Sequence, residues 1–484
     1  MSQSCFIGLD QGSSATKAVV ISTAGQILFQ TRKDLPPPFR DGLRVEQDPK
    51  EILASVQGAL DESLRAVQGQ GISVQGVGLS CQRSSSLIWS GSTGEPLSPV
   101  ISWRDTRGID LVRQLSGHET LIFKTSGLPL TPYYSASKFR WIHDNLAIGK
   151  QTDAVYGTLS SFIVKHLTGN KQAVIDHTNA ARTQLMNIHT LSWDRELLEA
   201  FGLESIRLPE IRPTAHGYGE IATAAGAIQL LASLGDQQSA MLGLGVLAKG
   251  DGVINYGTGG FLMVNTGTEL VPAPGLMASV HYSNDSEQHY LLEGSVNAVG
   301  DALEWARSNL GLFREYAEVD DFCWKATTDV ISFVGLNGTG APHWEADLSS
   351  SMHGLVREST HADMVRAVVE NIAFFMKDIA EAMRAAGVEP NALFLSGGLS
   401  SLSYLAQIQA DILGKNVRIS STPEVSALGA ALLAGMQHGT WTVDDIKRMV
   451  TQGEIVKGEA NPGLERRYRR WKELHRTTKE LDGM

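Results

Sequence analysis

The chain has 484 residues, of which 42% are hydrophobic and 19% charged, the balance of a folded globular protein too long for one core and divided into about two or three domains. A net charge of −11 argues against a nucleic-acid binder, which must neutralise phosphates, and points to a chain that carries any anionic ligand on local devices. Cys5, Cys81 and Cys323 have neither metal spacing nor an even disulfide count, no apolar run reaches about 18 residues, and the start lacks a basic leader, so buried thiols, no membrane span and a cytoplasmic setting are expected.

An apolar strand over residues 5–9 ends in Asp10 and the turn Gly12-Ser13-Ser14, a second strand covers 18–21, and Thr23-Ala24-Gly25-Gln26 turns the chain into a third at 27–31. Asp48 is placed to cap a helix over 49–67. Strands are expected at 74–80, running into Gln82-Arg83-Ser84, and at 99–102, running into Trp103-Arg104-Asp105. The apolar run 230–234 leads to Gly235-Asp236-Gln237-Gln238. At 252–256 the opening phrase returns: a strand, the turn Gly257-Thr258-Gly259-Gly260 and a second strand, which suggests two related halves. A long amphipathic helix over 363–386, a buried strand over 392–395 and the turn Ser396-Gly397-Gly398 complete an α/β grammar. The basic tail 465–481 alternates with acids and carries Tyr468, Trp471 and Leu474 at helical spacing, which favours a packed terminal helix over a nucleic-acid arm.

No G-x-x-x-x-G-K-[ST] loop is present. Three glycine-rich turns follow apolar strands instead, and turn N–H groups can cradle phosphate, although hairpins use such turns routinely. Asp10 could hold Mg²⁺ beside such a turn or could be an ordinary turn residue. Gly243-Leu244-Gly245-Val246-Leu247-Ala248 matches a dinucleotide fingerprint only in letters, because no helix start follows it. Asp236 could take a hydroxyl proton in phosphoryl transfer or could merely cap a helix. Arg83 and Trp103 stand at strand ends, where α/β proteins bind ligands, or serve salt bridging and packing.

The run Tyr133-Tyr134-Ser135-Ala136-Ser137-Lys138-Phe139-Arg140-Trp141-Ile142-His143-Asp144-Asn145 resembles the first signature of the FGGY carbohydrate kinases, and residues 350–370 are similar to their second. Gly8-Leu9-Asp10-Gln11-Gly12, Asp176-His177-Thr178-Asn179, Gly235-Asp236-Gln237-Gln238 and Gly340-Ala341-Pro342-His343-Trp344 bring the resemblance closest to the glycerol kinase branch of that family, over about residues 5–440. The resemblance implies two ribonuclease-H-like (actin-like ATPase) domains, at 1–248 for substrate and 249–484 for nucleotide, with ATP between them and a possible homodimer. It implies Asp236 as catalytic base and Arg83, Ser84, Trp103, Tyr133, Asp236 and Gln237 as the polyol site. Gly12, Ser13, Ser14, Lys17, Thr258, Gly259, Gly300, Glu304, Gly397 and Gly398 are then nucleotide contacts, and Asp10 orients Mg²⁺.

Ser84 departs from the pattern, since an acidic residue is usual after that arginine. Losing a charged hydroxyl acceptor costs about 1.5–3 kcal/mol, so a larger polyol or ketopentose is expected in place of glycerol. Leu402 stands where an Asn is usual near adenine, and residues 218–234 lack the Gly/Arg loop that binds a sugar-bisphosphate inhibitor, so that feedback is not expected. The alternative is a nucleotide-gated regulator without catalysis on the same fold.

Overall fold

The computed structural model describes residues 4–147, 153–224, 226–336, 338–345, 348–420, 422, 424–450 and 453–483. The chain forms two compact units that are not contiguous in sequence: the first comprises Met1–Leu247, Ser279–Tyr290 and Thr422–Thr451, the second Ala248–Ala278, Leu291–Ser421 and Gln452–Met484.

In the first unit the opening meander forms as its turns dictate, with Ser4–Gln11, Ala15–Ser22 and Ile27–Asp34 antiparallel in turn. Ser73–Cys81 joins Ser4–Gln11 in parallel, Gly226–Gly235 joins Ser73–Cys81 in parallel, and Ala215–Thr223 closes the edge antiparallel. The parallel centre brings Gln11, Cys81 and Gly235 to one end of the sheet, so the residues that follow each strand emerge together. One face is covered by the helix Pro49–Gln68, whose first turn Asp48 caps through Lys50 N–H. Its buried stripe, Ile52, Val56, Leu60 and Leu64, packs with Leu9, Val20 and Leu79.

The other face is covered by the helix Val425–Gln437, and glycines decide how closely. A Cβ on Gly8 would meet Ala427 O at 1.8 Å, and one on Gly78 would meet Ala430 O at 2.0 Å. The helix therefore lies with its backbone against the strands. The same helix meets Asp236–Gly243 through a second glycine pair: a Cβ on Gly429 would meet Ser239 O at 1.8 Å, and one on Gly243 would meet Val425 O at 2.0 Å.

A second, seven-stranded sheet runs Met277–Ser283, Gln288–Val296, Gly260–Gly267, Gly252–Tyr256, Leu393–Ser396, Val417–Ser420 and Gly453–Val456. It repeats the first sheet's order: a hairpin opening strand, Gly252–Tyr256, followed outward by two parallel strands and an antiparallel edge. The amphipathic helix His361–Ala385 buries Val365, Val368, Ile372, Phe375 and Ile379, and opens with a capping box between Thr360 and Asp363. The terminal helix Pro462–Asp482 packs Leu464, Tyr468 and Trp471 into the same core. The expected strand at 99–102 is only Val100–Ile101, because Pro99 lacks the N–H a longer ladder needs. All three cysteines are free and buried, and no described helix is long and apolar enough to cross a membrane.

Candidate active site

Asp236 is the first residue of the helix Asp236–Gly243, and the cap is Gly235. Its carboxylate is thus released from capping while remaining at a helix N-terminus, where negative charge is favoured. Oδ1 accepts from Gln237 N–H at 2.8 Å and lies 3.4 Å from Arg83 Nε. The Asp236 side chain is 30% exposed and that of Arg83 10%. Gly235 makes this approach possible, since a Cβ there would meet Arg83 Cγ and Cδ at 2.7 Å. Gly235 N–H donates to Thr178 Oγ1 at 2.8 Å, and the Thr178 hydroxyl donates in turn to the buried carboxylate of Asp176, which also accepts from Asn179 Nδ2 and Ser233 Oγ. That buried network sets the backbone from which Asp236 departs.

Asp10 lies on Ser4–Gln11, separated from Gly226–Gly235 by Ser73–Cys81, opposite Lys17 across the hairpin and beside Ser80, whose hydroxyl donates to Oδ1 at 2.7 Å. Removal from water pushes its pKa up to about 7, against the Ser80 hydrogen bond, and the charge of Asp236 adds to the rise. Lys17 partly offsets this, but its ammonium is also held by Glu424 at 2.6 Å. The donor set around Asp10 is therefore rich in carboxylates that repel one another, the environment that a hard divalent cation with oxygen ligands relieves.

The substrate candidates are joined by one buried cation. Lys138, on the helix Ser135–Asn145, donates to Ser84 O at 2.9 Å and to Tyr133 O at 2.7 Å. It is fully buried, and desolvation brings its pKa down to about 7, with Asp105 opposing and Arg107 reinforcing the fall. Ser84 adopts φ 65°, the left-handed region, which costs a non-glycine residue about 1–3 kcal/mol and marks a position held by its surroundings. Its hydroxyl lies 3.4 Å from Arg182 O. Trp103 and Tyr133 remain 38% and 50% exposed, large apolar surfaces available to a ligand. Trp103 Nε1 donates to Ser13 Oγ at 3.0 Å, and Ser13 Oγ donates to Gln82 Oε1 at 3.2 Å. The Gly12 turn is thereby tied to the Trp103 wall.

In the second unit the turn between Gly252–Tyr256 and Gly260–Gly267 packs against the start of the helix Gly300–Ser308. Val299 N–H donates to Thr258 O and Gly300 N–H to Gly257 O, both at 3.0 Å. A Cβ on Gly300 would meet Gly257 O at 2.8 Å, and one on Gly397, at φ 89°, would meet Tyr256 O at 2.4 Å. Thr258, Gly259, Gly300 and Gly397 are thus brought together, and Gly398 begins a short 3₁₀ turn beside them. Glu304 is occupied otherwise: Arg307 Nη2 holds its carboxylate at 2.6 Å and Tyr316 OH at 3.1 Å. Leu402 packs against the apolar core and offers no amide.

Sequence reasoning assigned no individual role to Lys138, Asp176, Thr178, Gln82 or Glu424. The first four lie inside motifs whose letters were noted, and a lysine among apolar residues of a helix was a signal that could have been followed.

The N-terminal domain of the FGGY family of carbohydrate kinases matches residues 5–243, and its C-terminal domain matches residues 252–438. The glycerol kinase of Lactobacillus acidophilus is 32% identical over 499 aligned positions, covering 99% of each chain. That of Shewanella oneidensis is 36% identical over 453, covering 91% of this chain and 92% of its own. The crystal structure of Plasmodium falciparum glycerol kinase with ADP matches with a TM-score of 0.92 at 28% identity, over 99% of this chain and 98% of that one. With two glycine-turn sheets of one topology and a carboxylate at a helix start beside an arginine, the chain belongs to the FGGY family of carbohydrate kinases and is an ATP-dependent kinase of actin-like ATPase fold.

Proposed function

We propose that the enzyme phosphorylates a hydroxyl of a four- or five-carbon polyol or ketose by in-line transfer from ATP, with Asp236 as general base. The observation that supports this reading most is Asp236 itself, ionisable, partly exposed and paired with Arg83 rather than used as a cap. Arg83 orients the carboxylate and offers its guanidinium fork to substrate hydroxyls. Trp103 and Tyr133 supply apolar walls for the carbon chain. Asp236 takes the proton as the hydroxyl attacks, and backbone N–H groups of Thr258 and Gly259 receive the terminal phosphate. Gly12, Ser13, Ser14, Lys17, Gly300, Gly397 and Gly398 complete the nucleotide contacts in this reading, with Glu304 turning to the ribose only if it leaves Arg307. Bound Mg²⁺ would supply charge neutralisation on the phosphates, held near Asp10.

The substrate class rests on Ser84. A hydroxyl at this position fills less space than a carboxylate and withdraws a charged acceptor worth about 1.5–3 kcal/mol, roughly one to two orders of magnitude in affinity. The relatives named glycerol kinase make glycerol the competing substrate. ADP release measured over glycerol, erythritol, pentitols and ketopentoses decides. The reading expects a higher kcat/KM for a longer substrate than for glycerol, and expects Ser84→Glu to shift preference toward glycerol. Glycerol as the best wild-type substrate would refute the size argument while leaving the kinase intact.

A further inference from the structure

In the second unit, two histidines and a glutamate outside the kinase machinery converge. His343 and Glu345 follow Gly340 in one loop, and His475 comes from the helix Pro462–Asp482. One ligand atom of each lies within 4.8 Å of the others. His475 and Glu345 are nearly buried, with side chains 10% and 12% exposed, whereas His343 keeps 29%, an access route from solvent.

The backbone is bent to make this cluster. Trp344, between the two loop ligands, adopts φ 54°, a conformation that a bulky residue rarely takes. It is fixed there by its indole N–H on Gly275 O at 2.7 Å and its backbone N–H on Gly340 O at 2.6 Å. Non-glycine residues in such conformations cluster at ligand clamps, where surrounding contacts hold them.

Two of the ligands, His343 and Glu345, also have partners outside the cluster. His343 Nε2 donates to Asp378 Oδ2 at 2.9 Å, which leaves Nδ1 as the lone-pair nitrogen. Asp378 is itself held by Tyr468 OH. Glu345 points Oε2 to His475 Nε2 and Oε1 to Lys479 Nζ, both at 2.6 Å. Carboxylate-backed imidazoles and hydrogen-bonded carboxylates are the means by which proteins orient metal ligands.

We propose that His343, Glu345 and His475 bind a divalent transition-metal ion of the zinc type, with water as fourth ligand, and that the ion fastens the Gly340 loop to the terminal helix. Two imidazoles and one carboxylate suit Zn²⁺ in donor type and number. Bonds of about 2.0–2.2 Å require the ligand atoms to stand roughly 3.3 Å apart, so binding draws them inward from the 4.8 Å that bounds them here. Binding through His475 Nε2 breaks its hydrogen bond to Glu345 Oε2, the ring proton passing to Nδ1, and Lys479 stays as the outer partner of Glu345.

The test is a Zn²⁺ titration of the full-length chain after stripping with chelator, followed by calorimetry, with Co²⁺ absorption as a report on geometry. One ion per chain and tetrahedral Co²⁺ bands are expected. His475→Ala should weaken binding at least 100-fold, and Asp378→Asn about 10–100-fold. His343→Gln, in the loop and partly exposed, is the variant least exposed to a folding defect, and circular dichroism verifies each protein. Absence of saturable binding, or binding unchanged in both histidine variants, would show that the cluster is a proton-sharing network only.

Discussion

Lys138 donates to the carbonyls of both Ser84 and Tyr133, so two residues of the proposed substrate wall depend on one buried side chain behind them. Hydrogen bonds to a charged donor contribute about 1.5–3 kcal/mol each. Lys138→Met should therefore raise the KM for substrate about 10–100-fold while changing the KM for ATP less than about threefold, and Lys138→Arg should recover part of the loss. Steady-state kinetics with each substrate varied separately checks this, and equal changes in both constants would reduce Lys138 to a general structural role. Asp10 gives a pH signature. Its folded pKa of about 7 stands above the unfolded carboxylate value of about 3.9. A raised pKa contributes stability that is present below the unfolded value and lost as pH rises through the folded one. Asp10→Asn should thus unfold at a higher temperature than wild type near pH 8, with the difference vanishing by about pH 4. Thermal melts without nucleotide across that range provide the measurement. Asp10, Arg83 and Asp236 stood out by their places at strand ends, but each also had an ordinary turn, capping or salt-bridge reading, and only the family resemblance joined them into one site. Lys138 did not stand out, because nothing in a helical stretch reveals that an ammonium turns inward to carbonyls on two separate loops.

At the scale of elements, the helix Val425–Gln437 depends on an absence of side chains. Gly8 and Gly78 on the sheet, and Gly429 against Gly243, allow backbone contact that one methyl would block. Overpacking a core costs about 1–3 kcal/mol and occasionally more. At Gly429 the obstructing atom is a backbone carbonyl at 1.8 Å, which cannot rotate away. Gly429→Ala should lower stability by about 3 kcal/mol in urea unfolding, and should lower kcat because the displaced helix carries Glu424 and abuts the Asp236 helix through Ser426 Oγ on Asp236 O. An unchanged transition midpoint would contradict the close approach. The opening strands of each sheet, the helices 49–68 and 361–385 and the terminal helix were readable from periodicity and the Asp48 cap, whereas strands such as Ser86–Ser90, Ala154–Thr158 and Gln288–Val296 were not. The glycine contacts were not, since a glycine inside an apolar strand signals close approach without naming the partner.

The whole chain repeats one plan twice: a hairpin with a glycine turn, two parallel strands beyond it and an antiparallel edge. The opening phrases at Gly8-Leu9-Asp10 and Val253-Ile254-Asn255 suggested the repeat, on weak residue identity. The interleaving of the two units did not appear in the sequence, because the assignment of Ser279–Tyr290 and Thr422–Thr451 to the first unit rests on packing with residues far away along the chain. In the proposed reading the repeat divides the labour, since Arg83, Trp103, Tyr133 and Asp236 belong to the first unit and Thr258, Gly259, Gly300 and Gly397 to the second. The proposed mechanism assigns the proton transfer to one group, Asp236, and positioned general bases contribute about 10²–10⁴-fold in rate. The most direct measurement is ADP release by Asp236→Asn on the best wild-type substrate, alongside calorimetric binding of a nucleotide analogue. A fall in kcat of about 10²–10⁴-fold with nucleotide affinity unchanged is predicted, and turnover within about threefold of wild type would remove Asp236 from the reaction.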